Sequence, residues 1–291
     1  MKSKVINSED KNYPQKLLNI KDYPDNLYCL GNDRLLNDKK VVAIVGSRDC
    51  TEYGRKYARL FATELARNNI CIISGLALGV DTAAHFGAVY EKGRTIAVLG
   101  GGMNNVYPPS NNWLFNEILA NDGCIITEHE DNKETVLSGF PRRNRIISGI
   151  ADAVLIIEAK KNSGSGITAK FAKKQRKKLY CIPSNLDSKN GSGTNELLRH
   201  GAKFVTNPIQ IVRDLYNINE VNQEYEQQNI IQVSEEYKDV YELLKEQEMS
   251  KDEISRILNK KVSEVNSILT MMELEGFVEQ VTGNVFKLRK N

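Results

Sequence analysis

Residues 40–102 read KVVAIVGSRDCTEYGRKYARLFATELARNNICIISGLALGVDTAAHFGAVYEKGRTIAVLGGG. Three nearly all-apolar runs, KVVAIVGSR, NICIISG and TIAVLGGG, alternate with YGRKYARLFATELARNN and VDTAAHFGAVYEKG, in which apolar residues recur every three to four positions. A strand that is apolar on both faces must be covered on both, and an intervening helix supplies the cover. The stretch therefore predicts parallel strands. The pattern continues outward through NNWLFNEILAND, GCIITE, ADAVLIIEA, TAKFAKKQRKK, KLYCIPS and NELLRHGAKFV. Residues 39–216 read as one α/β domain, an extended Rossmann-like, doubly wound, mostly parallel sheet.

Residues 1–38 place turn-forming Pro and Asp between short apolar clusters and are expected to form a short N-terminal cap. Residues 217–234 lose periodicity and become rich in Asn, Gln and Glu, which predicts a polar linker. In residues 235–291, Ser250 and Glu253 form a capping box. Three helical patterns and an alternating tail around Thr282-Gly283-Asn284 predict a small C-terminal winged-helix domain.

The 291 residues, 41% hydrophobic and 26% charged, are those of a soluble globular chain. No apolar run approaches the roughly 18 residues of a membrane span, and the polar start resembles no targeting peptide. A cytoplasmic protein without membrane contact is expected. Cys29, Cys50, Cys71, Cys124 and Cys181 include no C-x-x-C pair, so neither a disulfide framework nor a metal site is expected.

The net charge of +3 conceals a strong local bias. Residues 139–206 carry 14 basic against 4 acidic side chains, whereas residues 235–291 carry 9 against 12. A concentrated basic block favours a polyanionic partner.

In an open parallel sheet ligands bind beyond the carboxyl ends of the strands. Gly46, Ser47 and Arg48 lie at the first such end, where free amides and a planar guanidinium suit phosphate. They do not form a GxGxxG fingerprint, and no cofactor is implied. Gly75 marks the second strand end. Asp81 and His85 follow four apart on one helix face, as an acid–base pair or as packing residues.

The loop GFPRRNR sets Phe140 beside Arg142, Arg143, Asn144 and Arg145. Aromatic residues among arginines suit single-stranded nucleic acid, which offers a stackable base and a phosphate at every step. Ser163, Gly164, Ser165 and Thr168 belong to a second Gly/Ser loop entering a lysine-rich helix at Lys170. It lacks P-loop spacing.

The ordered strings LYCLG, IVGSR, ISGLALGVDTAAH, FPRRNRIISGI, SGSGITA and GSGTNELLRHGA resemble the DNA processing protein A (DprA, also called Smf) family over about residues 13–205. The resemblance implies a homodimeric, non-catalytic single-stranded DNA-binding protein of natural transformation and recombination. It would protect incoming strands and help load the RecA recombinase. It also implies that Gly46, Ser47 and Arg48 hold phosphate and that Phe140 lies near a base. Arg143, Asn144 and Arg145 would line the same pocket, with Lys170 nearby. The winged module departs from a duplex binder, because its recognition segment SEVNSILTMME contains no Arg or Lys. Partner or self-association is expected of it. Two alternatives stand beside this reading: a Rossmann-type nucleoside-monophosphate phosphoribohydrolase, and a duplex-DNA regulator acting through the winged helix.

Overall fold

The computed structural model describes residues 2–136, 138–161, 163–218, 237–274 and 277–288, in two compact units, Met1–Ile218 and Asn219–Asn291. Apart from Asn217 and Ile218, the expected linker over 217–234 lies outside the described residues.

The first unit is built on strands β1 (Lys4–Asn7), β2 (Asn26–Gly31), β3 (Val41–Val45), β4 (Cys71–Ser74), β5 (Thr95–Val98), β6 (Cys124–Thr127), β7 (Ala153–Ile156), β8 (Lys178–Cys181) and β9 (Lys203–Phe204). Its helices are α1 (Glu52–Arg67), α2 (Val80–Tyr90), α3 (Asn112–Ala120), α4 (Gly139–Ile150), α5 (Gly164–Lys174), α6 (Ser192–Arg199) and α7 (Pro208–Tyr216). Among the described residues the sheet has nine strands in the order β1-β2-β6-β5-β4-β3-β7-β8-β9. From β6 through β9 the pairing is parallel, while β1 and β2 run antiparallel at one edge.

Both faces of the sheet are apolar, as the all-apolar runs require. Val41, Ala43 and Val45 join a core with Ile146, Ile147 and Ile150 of α4 and Ala169 and Ala172 of α5. Val42 and Ile44, pointing the other way, pack with Phe61 and Leu65 of α1, Ala84 and Ala88 of α2, and Leu215 of α7.

Two expectations are corrected. Residues 1–38 do more than cap the sheet, because β2 pairs with β6 in register Tyr28↔Thr127 to Gly31↔Cys124 and β1 pairs with β2. The reason is that Leu27 and Cys29 alternate with more exposed neighbours, the period of a strand. The FPRRNR segment is not a loop. It forms the first two turns of α4, with Pro141 in the first turn where its missing N–H costs nothing.

The second unit contains α8 (Lys238–Glu246), β10 (Met249–Ser250), α9 (Lys251–Leu258), α10 (Val262–Leu274), β11 (Val278–Thr282) and β12 (Val285–Leu288). The capping box opens α9: the Ser250 side chain accepts from the Glu253 N–H, and the Ser250 N–H donates to Glu253 Oε2 at 2.8 Å. Strands β11 and β12 form the wing, turning at Gly283 with φ of +55°. The two-residue β10 adds to β12. The fold is thus a Rossmann-like sheet with a winged-helix unit.

His85, on α2, is fully buried. Its Nδ1 lies 2.8 Å from Thr95 Oγ1, whose own proton goes to the Ile72 carbonyl at 2.9 Å. The imidazole must therefore donate through Nδ1, leaving Nε2 a buried lone pair without a partner among the described residues. Protonation would bury an unpaired N–H. Burial, with the Arg143 charge, lowers the His85 pKa from 6.5 to about 3. The unfolded chain then binds the proton first, so stability falls as pH drops below 6.5. Relative to His85→Gln, the wild type should lose about 1.4 kcal/mol per pH unit between pH 6 and 5. Urea unfolding of both proteins across that range checks this; parallel stability curves would contradict it.

Candidate nucleic-acid interface

After β3 the chain builds β4, β5 and β6 on one side. Helix α4 then carries it back to β7 on the other side of β3. Strand order reverses there, and loops diverging from adjacent strand ends leave a crevice. A cleft of about 490 Å³ occupies that point. It brings together Gly46, Ser47, Arg48, Phe140, Arg143, Asn144, Ser163, Gly164, Ser165 and Thr168 from the predicted set.

The first wall is the turn after β3. Gly46 is required by packing, because a Cβ there would meet Val80 Cγ2 at 2.6 Å. Gly79 has φ of +78° and brings the start of α2 over the turn, where the Val80 N–H donates to the Ser47 carbonyl at 3.2 Å. Arg48 lies with its guanidinium 4.6 Å from the centre of the Phe140 ring. Tyr107 packs against the same ring at 5.4 Å. Phe140 is only 8% exposed, with the Arg48 guanidinium and the Tyr107 ring lying against it.

The second wall is the start of α5. The expected Gly/Ser loop is largely helix: Ser163 is the N-cap, its hydroxyl accepting from the Gly166 N–H at 3.4 Å, and Gly164 to Gly166 form the first turn. A Cβ at Gly164 would meet nothing within 4 Å. With no side chain at Gly164, the backbone of the first turn is uncovered there. The first-turn amides and the helix dipole make that surface attractive to an anion.

The corresponding start of α1 is closed. Glu158, 1% exposed, accepts the Thr51 hydroxyl at 2.6 Å and the Thr51 N–H at 2.9 Å. A Cβ on Gly54 would meet its carboxyl carbon at 2.6 Å. The position where a dinucleotide-binding sheet receives pyrophosphate is filled by the chain's own carboxylate.

Arg143 forms the floor. It is 3% exposed, and its Nη1 donates to the Gly75 carbonyl at 2.7 Å and also to the Val98 carbonyl. Its Nε donates to Asn144 Oδ1 at 3.1 Å. Burial lowers its pKa to about 10 despite the charge of Asp81. Asp81 accepts the Gly75 N–H at 3.1 Å, and burial raises its carboxyl against the pull of Arg143. Gly75 contributes by absence, because a Cβ would lie 2.6 Å from the guanidinium carbon.

Gly75, Arg142, Arg145 and Lys170 do not line this cleft. Arg145, 2% exposed, pairs with both oxygens of Glu128 at 2.7 and 2.8 Å, and its Nε donates to the Asp22 carbonyl at 2.8 Å. The helical path of α4 turns it away from Arg143, so the two do not share a pocket. Arg142 points outward and lies 3.4 Å from Glu128. Lys170 stands on the far side of α5 in a neighbouring groove. Two charged lining residues went unread in the sequence, Asp49 and Lys160, which pair at 3.4 Å. Their places directly after GSR and after the strand ADAVLIIEA were the available signal.

The family model for DNA recombination-mediator protein A matches residues 4–216, and the DprA winged helix domain model matches residues 225–284. Protein Smf of Escherichia coli is 36% identical over 211 residues, 72% of this chain. The chain spans 56% of the length of that relative. The X-ray structure of DprA from Streptococcus pneumoniae aligns with a TM-score of 0.70 at 36% identity, covering 74% of this chain and 75% of that one. A structure of DNA processing protein A from Helicobacter pylori, described for its single-stranded DNA binding mode, aligns with a TM-score of 0.66 at 33% identity. That alignment covers 75% of this chain and 99% of the other. With the switch-point cleft, the Rossmann-like sheet and the winged unit all accounted for, the chain belongs to the DNA recombination-mediator protein A (DprA/Smf) family.

Proposed function

We propose that this chain is a non-catalytic, cytoplasmic, single-stranded DNA-binding protein of natural transformation and DNA recombination. It protects incoming strands, helps load the RecA recombinase and acts as a homodimer. The observation that carries the DNA reading is the bare first turn of α5 facing Arg48 across one cleft. Amides there take a phosphate, Arg48 swings from Phe140 to a second, and the freed ring accepts a base. The single-strand binding described for the Helicobacter pylori relative supports the same reading. The RecA and homodimer assignments draw support from family membership. The free thiols of the five cysteines suit a reducing compartment. Among the described residues no helix is long and apolar enough to cross a membrane.

Asp81 and His85 do not form an acid–base pair reaching the cleft. His85 is directed to Thr95, and it is absent from the cleft lining. Incubation with nucleoside monophosphates should release no free base; release at the rate of a true turnover would contradict the binding assignment.

Arg48 has no ion-pair partner among the described residues, and Lys160 is half exposed. Arg48→Ala and Lys160→Ala should each weaken oligothymidine binding and flatten the log–log salt dependence by about 0.7. Phe140→Ala should cost about 1–3 kcal/mol of binding. Anisotropy titrations at several salt concentrations test all three, and unchanged slopes would place the strand elsewhere.

Glu128→Gln should behave differently. Burial raises the Glu128 carboxyl, but the hydrogen bonds and charge of Arg145 outweigh it and hold the pKa below its ordinary value. Breaking this buried pair should cost about 3 kcal/mol of stability at neutral pH. The deficit should shrink as pH falls below 4.5, the ordinary carboxyl value, because the unfolded wild-type chain takes up that proton before the folded one. Thermal unfolding at pH 7 and pH 3.5 checks the sign.

A further inference from the structure

Helices α1, α2 and α3 share a cluster of aromatic side chains at their surface. Phe86 of α2 meets Trp113 of α3 edge-on, with ring centres 6.1 Å apart, and Tyr90 of α2 at 6.4 Å. Arg59 of α1 lies over both α2 rings, 4.7 Å from the centre of Phe86 and 5.0 Å from that of Tyr90. Trp113 is 47% exposed and Tyr90 65%, so large rings stand in water side by side. Arg59 has no carboxylate partner among the described residues. Glu64 and Glu91, towards the far ends of α1 and α2, are both held by Arg67, at 2.7 and 2.8 Å. Glu117, one turn after Trp113, takes the Asn121 amide at 3.5 Å. The cluster is reached from the switch-point cleft through Tyr107, which is 50% exposed and packs on Phe140. The Tyr107 loop is tied to the start of α2 by Asn111, whose amide donates to the Leu76 carbonyl and to Thr82 Oγ1, each at 2.9 Å. Trp113 follows two residues later.

We infer that Trp113, Phe86, Tyr90 and Arg59 form a second stacking platform, on which a single strand leaving the cleft past Tyr107 lays its next bases. The inference rests on the single-stranded DNA reading above. An unpaired arginine lying across two rings suits a ligand that offers a flat base and a phosphate at every step, and a single strand does so. Stacking on such rings tolerates any sequence, because every base has a face. In the bound state Trp113 and Tyr90 carry bases, and Arg59 pairs with the phosphate between them. The cleft and the platform thus repeat one device: Arg48 lies on Phe140 in the first as Arg59 lies on Phe86 and Tyr90 in the second.

Trp113 is the chain's only tryptophan, so its fluorescence reports on the platform without any substitution. The test titrates the full chain, Arg59→Ala and Tyr90→Ala with oligothymidines of about four and about twelve nucleotides, following anisotropy, Trp113 fluorescence and the mass in solution. Wild type should bind both oligomers, and only the longer should quench Trp113. Both variants should match wild type on the short oligomer. On the long one they should bind about fivefold or more weakly. Arg59→Ala should also lose about 0.7 from the salt slope there. Wild type binding neither length would defeat the underlying DNA reading. Wild type binding both, with Trp113 unaffected by the long oligomer or with the variants unchanged on it, would overturn the platform alone. Equal weakening on both lengths would make the cluster part of the first site and would also overturn it. An altered mass with unchanged binding would assign the face to a protein contact instead.

Discussion

One buried guanidinium sets the shape of the cleft. Arg143 reaches from α4 to carbonyls at the ends of β4 and β5, fixing the crossover helix above the reversal of strand order. A lone buried charge costs several kcal/mol, and here two carbonyls, the Asn144 amide oxygen and the field of Asp81 offset that cost. Gly75 leaves the passage through which the side chain runs. With α4 held in place, Phe140 on its first turn meets Arg48 from the β3 turn, and Asn144 donates to the Gly164 carbonyl at 3.3 Å on α5. Three segments distant in sequence are thereby brought to one cleft.

The second constraint concerns which helix is free to attract an anion. A helix start contributes about 0.3–1 kcal/mol to a nearby negative charge, and more when partly buried. At α1 that stabilisation goes to Glu158. At α5 the Ser163 hydroxyl caps one amide, and the two glycines beyond it have almost no neighbours. The helix start left uncovered thus lies across the switch point from the one that Glu158 closes. A helix start bordering an open cleft suits a polymer better than an enclosed cofactor.

Much of this was legible in the sequence. Runs such as VVAIV and CIIS can only be strands covered on two faces, and the helices between them show a clear three-to-four period. Ten of the fourteen nominated residues share the cleft because all follow strand ends that a parallel sheet must align. Arg145 was misplaced because α4 looked like a loop. Gly139 and Pro141 obscure a helix whose signature is Ile146, Ile147 and Ile150 packing on the core. Once helical, residues two apart point in different directions, so Arg143 and Arg145 part company. The role of Glu158 was illegible because it depends on a contact between Thr51 and a residue 107 positions away.

In the proposed binding mode an unpaired strand lies across the start of α5 with its phosphates against backbone amides and Arg48. A crystal structure of the full chain with an oligothymidine should then show a phosphate within hydrogen-bonding distance of the Gly164–Gly166 amides and Arg48 turned off Phe140 toward the strand. A strand seated only on the winged-helix unit, with Arg48 still lying over Phe140 and the first turn of α5 uncovered, would contradict it.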